Sequence, residues 1–198
     1  MSTTSIVEGT ATGHHPARAD QRGAYGWFAV AFVFGHGGFA VSQGDDPLLE
    51  LPLWVPLLLL AIGVVGGMTA AMRAGGRVQR GASKDELLGE KLLGTAWVTG
   101  FLALLVGITG LTNTLGMPEL QTVLWPTASV FLVGLINIGE GAVRRNVTHY
   151  VLGSWLALIA SAALLLPSPG PFWVLTIAGG GAYLLAAILE PRRIAKLD

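Results

Sequence analysis

The chain has 198 residues, of which 52% are hydrophobic and only 12% are charged, and its mean hydropathy is +0.61. A soluble domain carries about 25% charged residues, so this composition argues against an ordinary soluble domain. The formal net charge is zero, which leaves no overall basic field for binding nucleic acid. Because cysteine is absent, disulfides, thiolate metal sites and cysteine nucleophiles are excluded.

Residues 1–24 differ from the rest of the chain, because they are rich in Ser, Thr, Gly and His and nearly lack large apolar side chains. A cleavable signal peptide has basic residues followed directly by an apolar core. Here the first basic residue is Arg18, and the apolar run starts only at Tyr25. We therefore expect a disordered cytoplasmic tail over residues 1–24, a membrane domain over residues 25–193 and a short cytoplasmic tail over residues 194–198.

Six apolar runs follow the tail and predict an all-α membrane protein with six transmembrane helices. A run of about 21 residues at about 1.5 Å rise per residue spans about 30 Å, which is the hydrocarbon thickness of a bilayer. Backbone polar groups cannot stay unpaired in lipid, and the alternation typical of a membrane barrel is absent, so the runs are predicted to be helices. The predicted spans are residues 25–41, 51–72, 92–112, 123–143, 149–166 and 171–189.

The basic residues indicate the orientation of these spans. All twelve Lys and Arg residues fall on one side of the predicted membrane, and the loops 42–50, 113–122 and 167–170 on the other side contain none. By the positive-inside rule the basic side is cytoplasmic, so both termini are predicted to be cytoplasmic. The preference for Arg over Lys, with abundant Ala, Gly, Leu and Val, is typical of a GC-rich bacterial genome, and the expected location is the bacterial inner membrane.

The six spans also group into three related helical hairpins. Six Trp residues fall one per span, each near the start of its helix, where an indole ring suits the headgroup level. Leu-Gly-Thr-Ala-Trp at 93–97 resembles Leu-Gly-Ser-Trp at 152–155, and Glu140 before an Arg pair resembles Glu190 before another Arg pair. The first hairpin shares this layout but lacks the acidic residue at its end.

Three polar residues inside the spans are candidate functional residues: His36, Asn137 and Glu140. Ionisable residues at membrane depth are costly and often functional. The glycine-flanked His36 suits a proton relay or a haem or metal ligand, or alternatively a neutral hydrogen bond to a neighbouring helix. Glu140 lies one turn before Arg144, so a simple ion pair is the alternative to a cation or proton site shared with Asn137.

Two arginines, Arg77 and Arg80, are predicted to contact anionic lipid from a short interfacial helix within residues 74–90. The acidic loop at residues 42–50 is expected to be solvated, because its carboxylates lack the spacing of a calcium-binding loop. The sequence predicts no metal site and no cofactor.

The carboxyl-terminal half contains four short patterns: Leu-Gly-Ser-Trp at 152–155, Leu-Pro at 166–167, Ile-Ala-Gly-Gly-Gly-Ala at 177–182 and the Arg pair at 192–193. With these patterns it resembles the HdeD-like family of small six-span bacterial membrane proteins, which are linked to acid resistance. The resemblance covers roughly residues 92–193 and implies a six-span fold and a stress-response role. Because the family has no defined chemistry, it implies no functional residue, and the first hairpin departs from it with its glycine-flanked His36.

No catalytic motif occurs: the sequence contains no Gly-x-Ser-x-Gly, no P-loop, no His-Glu-x-x-His and no dinucleotide-binding fingerprint. The sequence therefore favours a non-enzymatic stress-response or accessory membrane protein that acts through the bilayer and through a partner protein or a second copy. One alternative is a small permease or transporter subunit with a path along His36, Asn137 and Glu140. Another is a membrane-embedded enzyme that uses Glu140 or His36 as an acid. Interior positions of these residues, joined by a polar cavity, favour the two alternatives, whereas a sealed apolar interior would exclude both.

The orientation predicts the behaviour of topology reporters. A reporter that is active only outside the cytoplasm is expected to stay silent when fused after Lys196 and to be active when inserted near Glu119. The opposite pattern would refute the predicted direction of all six spans.

Overall fold

The computed structural model describes residues 19–78 and 83–196, and these residues form six helices. In chain order, helices α1 to α6 span Arg22–Ser42, Trp54–Val78, Lys84–Leu115, Gln121–Val143, Val147–Ala163 and Gly170–Ile194. The described residues contain no strand, so the predicted all-α class is confirmed. Five of the helices are long and apolar enough to cross a membrane, and α5 is apolar but only 17 residues long.

The helix limits differ most from the apolar runs around the connection between α2 and α3. Instead of forming a separate interfacial helix, the chain continues α2 to Val78 and begins α3 at Lys84. Ser83 caps α3, because its side chain accepts a hydrogen bond from the Glu86 nitrogen while the Glu86 carboxylate accepts one from the Ser83 nitrogen. This reciprocal cap stabilises the charged first turn of α3, which lies before the predicted apolar run at residues 92–112.

Four helices, α1, α4, α5 and α6, supply the buried core, and α2 and α3 flank it. Helix α1 packs between α2 and α6, α5 packs between α6 and α4, and α3 packs mainly against α4. The helices therefore follow the packing order α3, α4, α5, α6, α1, α2. The buried apolar core consists of Tyr25, Ala29, Ala31, Phe32, Val130, Leu152, Leu156, Ile159, Ala160, Leu175, Tyr183 and Ala186.

Glycines allow the closest helix contacts. On α4, a Cβ atom at Gly134 would lie 2.6 Å from the Ala157 backbone nitrogen on α5. On the facing surface of α5, a Cβ at Gly153 would lie 2.7 Å from the Gly134 carbonyl oxygen. Similarly, a Cβ at Gly63 on α2 would lie 2.5 Å from Cα of Ala31 on α1. The backbones of these pairs are therefore in direct contact, as in membrane bundles that pack through small residues.

Helices α1 and α6 each contain a wider π-helical turn, at Ala31–His36 and at Leu175–Gly179, and the two turns contact each other. The Phe32 ring from the first turn occupies the space over Gly179, where a Cβ would lie 2.4 Å from Phe32 Cδ1. The Trp155 indole donates a hydrogen bond of 3.0 Å to the Ala178 carbonyl in the second turn. Such turns occur frequently at functional sites.

Two glycine substitutions, one at the α4–α5 contact and one away from it, are expected to change the free energy of unfolding differently. Gly134→Ala is expected to lower the free energy of unfolding by about 1–3 kcal/mol, because the added methyl group overpacks the contact with α5. Gly107→Ala on α3, where nothing lies within 4 Å of the added Cβ, is expected to leave stability unchanged or to raise it by up to about 1 kcal/mol. Unfolding in detergent micelles measures both, and equal losses would contradict the packing described here.

Candidate functional site

Glu140 lies in the last turn of α4 and faces the bundle interior, with 9% of the residue exposed. Its Oε1 accepts a hydrogen bond of 2.9 Å from the Trp97 indole on α3. Its Oε2 lies 3.3 Å from Nη1 of Arg144 and 3.5 Å from Nε2 of His149 on α5. The ion pair expected from the sequence is therefore present, but a second and a third helix also contribute partners. Burying a charge costs several kcal/mol, and only pairing of this kind offsets the cost.

Arg144 links the carboxylate to a second acidic residue. Its Nη2 lies 2.6 Å from Oε2 of Glu90 on α3, and its Nε donates to Oε1 of the same residue at 3.1 Å. This two-bond fork fixes the guanidinium plane and therefore also fixes the nitrogen that faces Glu140. Since Glu90 and Trp97 both lie on α3, two polar contacts hold that helix against α4 at this end of the bundle.

His149 connects the carboxylate to α1. Its Nδ1 lies 3.0 Å from the hydroxyl of Tyr25, and the Asn146 side chain accepts a hydrogen bond from the His149 backbone nitrogen and so caps α5. Nε2 of His149 is buried and faces Oε2 of Glu140 at 3.5 Å, at the outer limit of hydrogen-bond distance. The side chains of Glu140, His149 and Tyr25 thus form a carboxylate–imidazole–phenol series across three helices.

The three predicted candidate residues all lie in the bundle interior. His36, Asn137 and Glu140 are 3%, 4% and 9% exposed. The Asn137 side chain lies near the Tyr183 hydroxyl on α6, and the Tyr183 ring lies 6.4 Å from that of Tyr25. The contacts therefore continue from the Glu140 series to Asn137.

Phe32 connects the same series to His36. Its ring lies 5.0 Å from that of Tyr183 and 4.7 Å from that of His36, which is in the same π-helical turn. Nδ1 of His36 is buried and has no hydrogen-bond partner among the described residues. We call the whole set the interior column, and its members are Glu140, His149, Tyr25, Tyr183, Asn137, Phe32 and His36.

A second buried carboxylate joins α6 to α1. Glu190 is fully buried, and its Oε1 accepts a hydrogen bond of 3.0 Å from the Gln21 backbone nitrogen at the start of α1. Arg193 donates to the same carboxylate at 2.7 and 2.8 Å and to the Ala19 carbonyl at 2.8 Å. Through these contacts with Gln21 and Ala19, the amino-terminal segment covers the carboxylate. Just outside α1, the hydrogen bond from Arg22 lowers the pKa of Asp20 below its usual value.

The structure brings together some predicted residues and not others. Arg77 lies exposed in the last turn of α2, and Arg80 lies outside the described residues. Sequence reasoning missed Trp97 and His149 as partners of Glu140, and it missed Tyr25 as the partner of His149. The tryptophan was assigned to the membrane interface by its position near a helix start, a signal that gives depth but not direction around the helix.

The described residues contain no group of three or more His, Asp or Glu side chains that is suited to a metal ion. In comparisons with known proteins, the chain matches no family model, no curated sequence and no solved structure. The resemblance of residues 92–193 to the HdeD-like family therefore remains a prediction, and the function has to be argued from the site.

Removing the Glu140 carboxylate is expected to destabilise the bundle strongly. Glu140→Ala leaves Arg144 and the Trp97 indole without their buried acceptor, a change that typically costs about 3–5 kcal/mol. Glu119→Ala is the matched control, because Glu119 is exposed in the connection before α4. Thermal unfolding in detergent compares the two variants, and similar midpoints would show that the Glu140 contacts do not stabilise the fold.

Proposed function

We propose that the chain is an integral membrane protein that crosses a bacterial plasma membrane six times as three helical hairpins, with both termini in the cytoplasm. Its apolar exterior supports this proposal. Large side chains on the flanking helices are widely exposed, with Val65 at 62%, Leu102 at 56% and Val106 at 72%. Soluble monomers rarely expose contiguous apolar patches of more than a few hundred Å², whereas lipid contact makes such a surface favourable.

The helix ends support the orientation. Contacts from Glu140 and Arg144 bring together the end of α4 and the starts of α3 and α5, and the Tyr25 contact adds the start of α1. Glu190 and Arg193 add the end of α6. The basic residues flank these same helix ends in the sequence, so the positive-inside rule assigns this face of the bundle to the cytoplasm.

The chain acts, we infer, as a small permease or as the membrane subunit of a transporter, with a path along the interior column. One observation carries this inference: His36, Asn137 and Glu140 are all buried and are joined by a continuous series of side-chain contacts along α1. An accessory role through surface packing, which the sequence favoured, accounts for the paired Glu140 but not for His36, whose buried Nδ1 has no hydrogen-bond partner among the described residues. A solute path does give one, because polar groups along it replace water around a permeating solute.

The permease function predicts that small polar reagents reach the interior column. In the cysteine-free chain, Asn137→Cys is expected to react with a membrane-impermeant methanethiosulfonate, because a thiol on a wet path ionises and becomes nucleophilic. Leu135→Cys lies on the same helix but on the exposed apolar face, where the residue is 46% exposed. In lipid that thiol stays protonated and is expected to remain unmodified.

The measurement uses proteoliposomes of the purified full chain and mass spectrometry to count modified thiols. Glu119→Cys, outside the helices' apolar regions, serves as the positive control for reagent activity. Labelling of Asn137→Cys without labelling of Leu135→Cys supports a wet path. Labelling at the Glu119 position with none at Asn137 would contradict the permease function and leave the accessory role.

A further inference from the structure

We propose that the interior column conducts protons between the two sides of the membrane, and that the Phe32 ring is the barrier between its two polar parts. This inference rests on the proposed permease function and names the proton as the permeating species. It follows from two features of the column: all members but one carry a polar side-chain group, and the exception, Phe32, lies between two polar parts.

The inner part of the column contains groups that can pass protons to one another. Glu140 faces Nε2 of His149 at 3.5 Å, and Nδ1 of the same ring faces the Tyr25 hydroxyl at 3.0 Å. A histidine with one nitrogen toward a carboxylate and the other toward a hydroxyl is suited to relaying protons. The charged group in direct contact with Glu140 is Arg144, and Glu90 lies behind it.

The outer part of the column contains His36 and lies near the end of α1. Nδ1 of His36 and the hydroxyl of Ser42, six residues further along α1, are buried without hydrogen-bond partners among the described residues. Leaving a buried polar atom unpaired costs about 1–3 kcal/mol, so each is suited to receive a proton or a hydrogen-bonded water. No charged side chain acts on His36 within the described part of the chain.

Phe32 separates the two parts. Its ring stands between Tyr183, at 5.0 Å, and His36, at 4.7 Å, and has neither a donor nor an acceptor. Gly179 holds the ring in place, because the missing side chain leaves the space that the ring edge fills. Both Phe32 and Gly179 lie in π-helical turns, which interrupt the regular helical hydrogen bonding and occur frequently at functional sites.

The transfer itself needs no redox change. A proton taken by Glu140 from cytoplasmic water passes to Nε2 of His149, while the proton on Nδ1 passes to the Tyr25 oxygen and the phenol proton leaves toward Tyr183 through a water molecule. Displacement of the Phe32 ring lets that proton reach Nδ1 of His36 and then the outer side. Rotation of the Tyr25 hydroxyl and a flip of the His149 ring, which carries the proton from the side facing Glu140 to the side facing Tyr25, restore every group, so one proton enters for each proton released.

The test measures proton flux into proteoliposomes with an enclosed pH-sensitive dye, driven by a potassium gradient and valinomycin. Phe32→Ala is expected to raise the initial rate by about tenfold, which corresponds to about 1.4 kcal/mol of barrier. Phe32→Tyr keeps the ring but adds a hydroxyl between the two polar parts, so it is expected to raise the rate as well. Adding His36→Phe to Phe32→Ala is expected to abolish the increase.

The matched control is Phe39→Ala, which removes another buried Phe of α1, one that stacks on Phe172 at 5.3 Å outside the column. Its flux is expected to equal that of the unchanged protein. The inference is overturned if monodisperse Phe32→Ala and Phe32→Tyr both leave the flux unchanged, or if Phe39→Ala raises it equally. If Asn137→Cys is labelled but the Phe32 variants leave the proton flux unchanged, the proton pathway is refuted and the permease function still stands.

Discussion

A carboxylate placed inside an apolar bundle has to be neutralised by its neighbours, and the arrangement of helices around Glu140 follows from that requirement. Its two oxygens take partners from α3, from the turn after α4 and from α5. His149 extends the connection to α1. Removing one partner leaves a buried charge unpaired, at a cost of about 3–5 kcal/mol. The positions of four helices therefore depend on one side chain.

The same arrangement occurs at the end of α6, where Glu190 joins that helix to the start of α1. Each carboxylate ends an even-numbered helix and binds the start of the odd-numbered helix that packs beside it. Helix α2 has no acidic residue in its last turns. Among the described residues, α2 and α3 make no substantial contact, although only five residues connect them. The helix that has no acidic residue at its end, α2, is therefore also the helix that does not pack against the next helix, α3, among the described residues.

The sequence was sufficient to predict the helical class and to single out His36, Asn137 and Glu140, because hydropathy and charge placement are read along the chain. It left open whether these residues face the bundle interior or the lipid. The interior positions of His36, Asn137 and Glu140 follow from the cost of exposing such groups to lipid. Three features escaped prediction. The start of α3 at Lys84 depends on a cap at Ser83, and the π-helical turns have no apolar signature. The pairing of Glu140 with Trp97 and His149 depends on how each helix is rotated about its own axis. Helices that are apolar on all sides give no sequence signal for that rotation.

The central claim is that Glu140 acts on α1 through His149, although it does not touch Tyr25 directly. A double-mutant cycle between Glu140→Gln and Tyr25→Phe tests this most directly, with the free energy of unfolding measured for the four proteins in detergent. We expect a coupling energy of about 0.5 kcal/mol or more, the range typical of residues that share one polar network. Additive effects within the error of the measurement would show that the carboxylate and the phenol act independently and would contradict the interior column.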